Sequence, residues 1–176
     1  EHILKYNVYN KLINICEEFG IPEDMVKLHS IDGVTEGTAC TLLTNKDHIN
    51  TWEPLITANS DQYIEGFELE DALLFCDSAD NIIITFTSDG NPKWSYVKSE
   101  PGKCGAYCVY KITEVAEKRI LDDKNRTNTG LYVYRKGCDF VKYAEQMISK
   151  NIRVNGEFYQ SLISNEYILD NKRVIE

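Results

Sequence analysis

Ile3, Leu4, Val8, Leu12, Ile13 and Cys16 recur at helical spacing and predict an amphipathic helix that Gly20-Ile21-Pro22 stops. Residues 26–31 alternate apolar and polar and read as a strand, Asp32-Gly33 as a turn, and a helix is expected from Thr35 or Glu36 through Ile49. Pro54-Leu55-Ile56-Thr57-Ala58 is apolar without alternation, as in a buried parallel sheet, and runs into Asn59-Ser60-Asp61-Gln62. Residues 67–78 are expected to be helical and residues 81–86 a second continuous apolar strand. Strand and helix in this order predict an α/β fold, a sheet flanked by helices.

The second half is β-rich at 94–98, 106–115 and 129–135, broken at Pro101-Gly102 and over the polar residues 122–128. Helices are expected at 137–150 and 157–169, and Arg173-Val174-Ile175-Glu176 reads as the start of another strand. The chain opens at Glu1 directly in a helical pattern, so the sheet is expected to be incomplete at both ends. No repeat, low-complexity tract or linker interrupts residues 1–176, which read as a single domain.

Charge narrows the partners. Nineteen Lys and Arg stand against twenty-eight Asp and Glu, a net charge of −9. This argues against nucleic acid, whose binders draw affinity from basic side chains on phosphates. A small phosphate ester needs only one local positive site. A hydrophobic fraction of 43% is that of a globular chain with a sizeable core. No apolar run nears the ~20 residues of a membrane span and no signal-peptide pattern is present, so no membrane partner and a cytoplasmic location are expected. The six cysteines, Cys16, Cys40, Cys76, Cys104, Cys108 and Cys138, are scattered and expected to be reduced thiols; His2, His29 and His48 add no ligand-spaced metal cluster.

Four segments carry candidate chemistry. In an open α/β sheet, ligands sit beyond the carboxyl ends of the strands. Asp61 occupies that position, where one carboxylate can hold a Mg²⁺ that also grips phosphate oxygens, or can simply cap a polar turn. Thr35-Glu36-Gly37-Thr38-Ala39 puts a glycine where a strand meets a helix, allowing close backbone approach to a flat ligand. Glu117 and Lys118 adjoin at a strand end; they make either a surface charge pair or, if the strand stops there, two charges in one cleft. Glu157 in Asn155-Gly156-Glu157-Phe158-Tyr159 is expected to begin a helix, where an acidic residue offsets the macrodipole.

Taken together, Thr35-Glu36-Gly37-Thr38-Ala39-Cys40-Thr41, Pro54 to Gln62, Pro92-Lys93-Trp94-Ser95-Tyr96-Val97-Lys98, Thr113-Glu114-Val115-Ala116-Glu117-Lys118, Thr129-Gly130-Leu131-Tyr132 and Asn151 to Tyr159 resemble the sugar-phosphate nucleotidyltransferases, or nucleotide-sugar pyrophosphorylases. The likeness is greatest to the branch of capsule and surface-polysaccharide clusters. It implies a Rossmann-like, glycosyltransferase-A-like nucleotidyltransferase fold. The implied reaction transfers a nucleotidyl group from a nucleoside triphosphate to a sugar 1-phosphate with Mg²⁺, releasing pyrophosphate. By the same resemblance Thr35 and Gly37 face the nucleobase and Asp61 binds Mg²⁺. Glu117 holds sugar hydroxyls, Lys118 the sugar phosphate, and Asn128, Tyr132 and Glu157 line the sugar pocket. A homo-oligomer is compatible with it.

The family's glycine-rich, arginine-bearing triphosphate loop has no counterpart before Thr35, and its second acidic metal ligand lies beyond the point where this sequence stops. These residues alone are therefore expected to catalyse feebly. A non-catalytic sugar-phosphate or nucleotide-binding relative and a glycosyltransferase of the same fold remain as alternatives.

Overall fold

The computed structural model describes residues 5–104, 107–122 and 124–176, without the side chains of residues 104, 107 and 108. The chain divides into two compact units, Glu1–Val34 and Thr35–Glu176. The first holds helix α1 (Val8–Glu18) and a single 3-10 turn at Glu23–Met25. Ile3 and Leu4, assigned to α1 by periodicity, lie outside the described residues. Residues 26–31 are not a strand. Val26 and Leu28 alternate but Ile31 falls out of step, and among the described residues no segment pairs with this run, which leaves its main-chain groups to water.

The second unit contains α2 (Thr38–Leu43), α3 (Lys46–Ile49), β1 (Leu55–Thr57), α4 (Leu69–Leu73), β2 (Asn81–Thr87), β3 (Ser95–Cys104), β4 (Tyr107–Glu117), β5 (Arg126–Tyr134), α5 (Gly137–Ser149), α6 (Ile163–Leu169) and β6 (Val174–Ile175). The six strands form one sheet in the order β1-β5-β2-β6-β4-β3. It is a mixed α/β sheet flanked by helices, as the pattern predicted.

The sheet's polarity departs from expectation. β1 and β2 both pair antiparallel with β5, and among the described strands β2 and β6 are the one parallel pair. An apolar run reports burial on two faces but not strand direction. That burial holds for β2 and β5: Ile83, Tyr132 and Tyr134 pack into one core with Phe140, Tyr143, Met147 and Tyr167, whereas Ile82 and Val133 pack into a second with Ala72 and Cys76. β1 is an edge strand with Ile56 exposed.

Three expected helices are shorter than their patterns. The 36–49 segment breaks at Thr44, whose hydroxyl bonds back to the Thr41 carbonyl at 2.7 Å, separating α2 from α3. After α4, the amides of Phe75, Cys76 and Ser78 bond three residues back, a tight winding that ends the 67–78 helix early. Glu157 does not begin a helix. It closes a turn through Val154, and the next amide, Phe158, donates to the Glu36 carbonyl at 2.8 Å. The helix there starts only at Ile163.

Cys16, Cys40, Cys76 and Cys138 are free thiols, and the side chains of Cys104 and Cys108 lie outside the described residues. Among the described residues no helix is long and apolar enough to cross a membrane.

Gly137, the first residue of α5, is where β1's flank meets the helix layer. A Cβ there would sit 1.9 Å from the Ile49 carbonyl oxygen, and main chain cannot swing aside. Gly137→Ala should lower unfolding free energy by about 1–3 kcal/mol or more, read as a shifted denaturant midpoint. An unchanged midpoint would mean that α3 yields freely.

Candidate functional site

A cleft of about 190 Å³ opens at one end of the sheet. Its floor is β5. Between Ile83 and Thr85 of β2, the β5 partner jumps from Tyr132 to Asn128, so Thr129-Gly130-Leu131 bulge out of the ladder. The Thr129 hydroxyl fills the gap by donating to the Ile84 carbonyl at 2.9 Å. Gly130, at φ 85°, carries the loop after β1 on its bare Cα; a Cβ would lie 2.4 Å from the Asn59 amide nitrogen and 2.6 Å from Gln62 Oε1. Asn128 and Tyr132 flank the bulge, and the Asn128 amide donates to the Tyr132 hydroxyl and accepts from the Gly130 amide. Burial pushes the Tyr132 phenol well above its usual range and keeps it neutral.

The walls come from the ends of β3 and β4 and from the turn before α6. Glu117 is the last residue of β4, and its carboxylate accepts from Ser161 Oγ at 2.7 Å. Burial raises its pKa above the ordinary glutamate value, while the hydroxyls of Ser161 and Ser95 and the neighbouring Lys118 ammonium pull it back. In an extended strand Glu117 and Lys118 would point to opposite faces. They do not, because β4 stops. Lys118 adopts a left-handed φ of 54°, its amide held by the Trp94 carbonyl at 2.9 Å. Its Nζ then reaches the hydroxyl of Tyr159, which lines the cleft with Glu117. A non-glycine residue in that conformation stores strain of order 1 kcal/mol or more, a feature concentrated at functional sites.

Glu117, Asn128 and Tyr132 thus line the cleft, and Lys118 stands at its rim beside Tyr159. Glu157 is exposed on its turn and is not part of the lining, though its charge is felt by both Glu117 and Lys118. Thr35 and Gly37 are not lining residues either. Thr35 Oγ1 donates to the Gly37 carbonyl at 3.0 Å, and a Cβ on Gly37 would lie 2.5 Å from the Phe158 carbonyl oxygen. The close approach that Gly37 permits is to the chain's own Phe158 main chain.

Asp61 is exposed on the loop between the lining residues Asn59 and Gln62, and no described residue bonds to it. Among the described residues no three His, Cys, Asp or Glu side chains group as metal ligands. Mg²⁺ commonly takes one or two carboxylates and completes its shell with phosphates and water. Asp61 fits an ion of that kind, arriving with its phosphates, and not a preformed cage.

Sequence reasoning gave no role to Gln160 and Ser161. Gln160 is buried; its amide donates to Thr57 Oγ1 and, at 3.1 Å, to the Tyr134 hydroxyl, while its main-chain N–H donates to Thr38 Oγ1 at 2.9 Å. Their adjacency to Tyr159 was the available signal. The assembled lining mixes carboxamides, hydroxyls, one carboxylate and the Lys93 ammonium with the rings of Trp94, Tyr132 and Tyr159. Such a surface suits a neutral polyhydroxylated ring with an anionic group at the Lys118 rim.

Solved structures share this architecture. A nucleoside-diphosphate-sugar pyrophosphorylase from Vibrio cholerae superposes with a TM-score of 0.69 at 20% identity, over 96% of this chain and 68% of its own. The fold is the nucleotidyltransferase fold. A UDP-glucose pyrophosphorylase solved with UDP-glucose gives a TM-score of 0.64 at 18% identity, covering 95% of this chain and 63% of its own. A Bacillus anthracis protein assigned as a glucose-1-phosphate thymidylyltransferase, in complex with a sucrose, gives 0.65 at 15% identity, covering 94% and 61%. This chain therefore spans somewhat under two thirds to about two thirds of the length of these pyrophosphorylases. No family model and no curated protein matches the sequence.

Because φ at Lys118 is positive, its two smallest replacements separate strain from charge. Both remove the ammonium, but glycine tolerates the left-handed conformation. Lys118→Gly should equal or exceed Lys118→Ala in unfolding free energy, by up to about 1 kcal/mol. A less stable glycine variant would show that Lys118 leaves the left-handed region in solution.

Proposed function

We propose that this nucleotidyltransferase-fold unit binds a sugar 1-phosphate and serves transfer of a nucleotidyl group to it from a nucleoside triphosphate. In that reaction an oxygen of the sugar phosphate bonds to the α-phosphorus, the bond from the α-phosphorus to the bridging oxygen breaks, and pyrophosphate leaves. The observation that carries the reading is the left-handed turn at Lys118, which brings its ammonium and the Glu117 carboxylate to one cleft lined by carboxamides and hydroxyls. Charges of opposite sign at one cleft match a ligand with hydroxyls at one end and phosphate at the other.

The roles follow from placement. Glu117, oriented by Ser161, accepts from sugar hydroxyls, and Asn128, Tyr132 and Gln160 complete the pocket around the ring. Lys118 leaves Tyr159 to neutralise the sugar phosphate, whose attack depends on positioning and charge compensation more than on covalent chemistry. Asp61 would hold Mg²⁺, whose charge would stabilise the phosphates. Gly37, its bare face taken up by the Phe158 main chain, and Thr35, bonded to the Gly37 carbonyl, stand outside the lining, and Glu157 adds a second carboxylate near the sugar end. A role in capsule or surface-polysaccharide synthesis, in the cytoplasm, is the setting that the sequence resemblance suggests.

Lys118→Ala should weaken sugar 1-phosphate binding about ten- to a hundredfold, since a charge-assisted hydrogen bond is worth about 1.5–3 kcal/mol. Titration calorimetry with a panel of hexose 1-phosphates checks this, and equal affinity for parent and variant would return Lys118 to a plain surface charge.

The pH dependence has a definite sign. Glu117 titrates above the ordinary glutamate value. Its ionised form is the better acceptor for hydroxyls, so affinity should fall with decreasing pH earlier than an ordinary glutamate would cause. The ligand's own phosphate protonates at about pH 6 and adds a step. Glu117→Gln should keep that step and lose the other. A raised carboxylate also opposes folding once ionised: its favourable contribution is present below the ordinary value and lost as pH rises through the raised one. Glu117→Gln should therefore melt higher than the parent at neutral pH, with the difference shrinking on acidification. Coincident pH profiles for the two proteins would remove Glu117 from the site.

A further inference from the structure

A second, larger cavity of about 330 Å³ adjoins the cleft and shares Gln62 and Trp94 with it as a common wall. Resting on the sugar-phosphate reading above, we propose that this cavity receives a neutral acylamido substituent carried by the sugar ring.

The argument begins with the wall. Ile64, Phe86, Tyr63 and Trp94 present aliphatic and aromatic surface. Tyr63 is 90% exposed and Phe86 37%, a large apolar area for one small region to leave in water. The Trp94 ring is held in place: the Phe86 ring meets it edge-on at 5.8 Å and 88°, and Lys93 Nζ lies 4.5 Å from its centroid. A fixed aromatic wall gives contact area without the cost of ordering a loose side chain. The cavity is also wider than a hydroxyl group requires.

The polar groups narrow the occupant. Gln62 Oε1 accepts from Asn59 Nδ2 at 3.2 Å, so the end of Gln62 left to face a ligand is its Nε2, a donor suited to an acyl carbonyl. Glu65 is the acidic member of the lining and opposes a carboxylated or otherwise anionic group. The combination of apolar wall, one amide donor and one carboxylate suits a small neutral group with a carbonyl near the ring and a methyl beyond it. Continuity matters most. Because Trp94 and Gln62 line both spaces, the second cavity lies immediately beside the cleft that holds Glu117, on the side toward which one ring substituent would project.

The test measures binding to the full 176-residue chain by calorimetry. The probes are glucose, galactose and mannose 1-phosphates, the same sugars with an acetamido group at each ring carbon in turn, and glucuronic acid 1-phosphate. At least one acetamido derivative should bind roughly tenfold more tightly than its parent sugar, from one buried methyl and one amide hydrogen bond. The uronate should not gain. Ile64→Ala and Tyr63→Ala, both outside the lining of the sugar cleft, should abolish the gain and leave the parent sugars' affinities unchanged. Binding of the parent sugars with no gain from any acetamido isomer, or a gain that survives both substitutions, overturns the subsite while leaving the sugar-phosphate reading intact. No binding of any probe overturns that reading, and the subsite with it.

Discussion

The site depends on a contact between main chains more than 120 residues apart. Phe158 donates its N–H to the Glu36 carbonyl at 2.8 Å, and its own carbonyl accepts from Ala39 at 3.1 Å. The strip between them has room for Gly37 and nothing larger, because Phe158 backbone atoms occupy the space a Cβ would fill. This two-bond staple sets the start of α2 beside the turn before α6. Thr38 can then accept from Gln160, and Tyr159, Gln160 and Ser161 are delivered to the cleft together. A side chain at residue 37 would push apart the segments that supply Thr38, Tyr159, Gln160 and Ser161 to the lining.

The sheet and its loops contribute the rest of the lining, and the sheet does so by breaking its own regularity twice. On β5 the ladder is interrupted by the bulge at Thr129-Gly130-Leu131, which turns Asn128, Gly130 and Tyr132 toward the cleft and seats Asn59 and Gln62 on a bare Cα. On β4 the strand ends in a left-handed lysine. The register of β4 is secured just before this point: the Asn165 side chain of α6 accepts from Val115 N–H and donates to its carbonyl, as a neighbouring strand would. Glu117 is therefore rigidly presented, and the strain is concentrated in the one residue whose ammonium must reach another surface. A regular sheet of the same sequence would send Glu117 and Lys118 to opposite faces.

The electrostatics are modest and local. The chain is acidic overall, yet Lys93 and Lys118 stand at the cleft, and Glu117, half-buried, is the carboxylate in its lining. A net charge of −9 does not repel a phosphate ester when the nearest full charges at its binding end are ammonium groups and more distant exposed charges are screened beyond about 10 Å.

Sequence alone determined the elements whose patterns are long and two-sided: β2, where Ile82, Ile83 and Ile84 are apolar without a break, and α5, whose apolar stripe ends within a residue of where it was expected. Both are set by local periodicity, which packing then satisfies. The candidate residues Glu117, Lys118, Asn128 and Tyr132 were also legible, through the motifs around them. Sequence could not decide strand direction, since β1 and β2 look alike whether parallel or antiparallel to their neighbour. Nor could it exclude the strand at 26–31, where alternation begins at Val26 and Leu28 but no described segment arrives as a partner. The left-handed turn at Lys118, the bulge at Gly130 and the occupation of Gly37's empty face by Phe158 were decided by tertiary structure alone. Each is a response to a chain segment distant in sequence, and no local pattern of apolar and polar residues encodes which distant backbone will arrive.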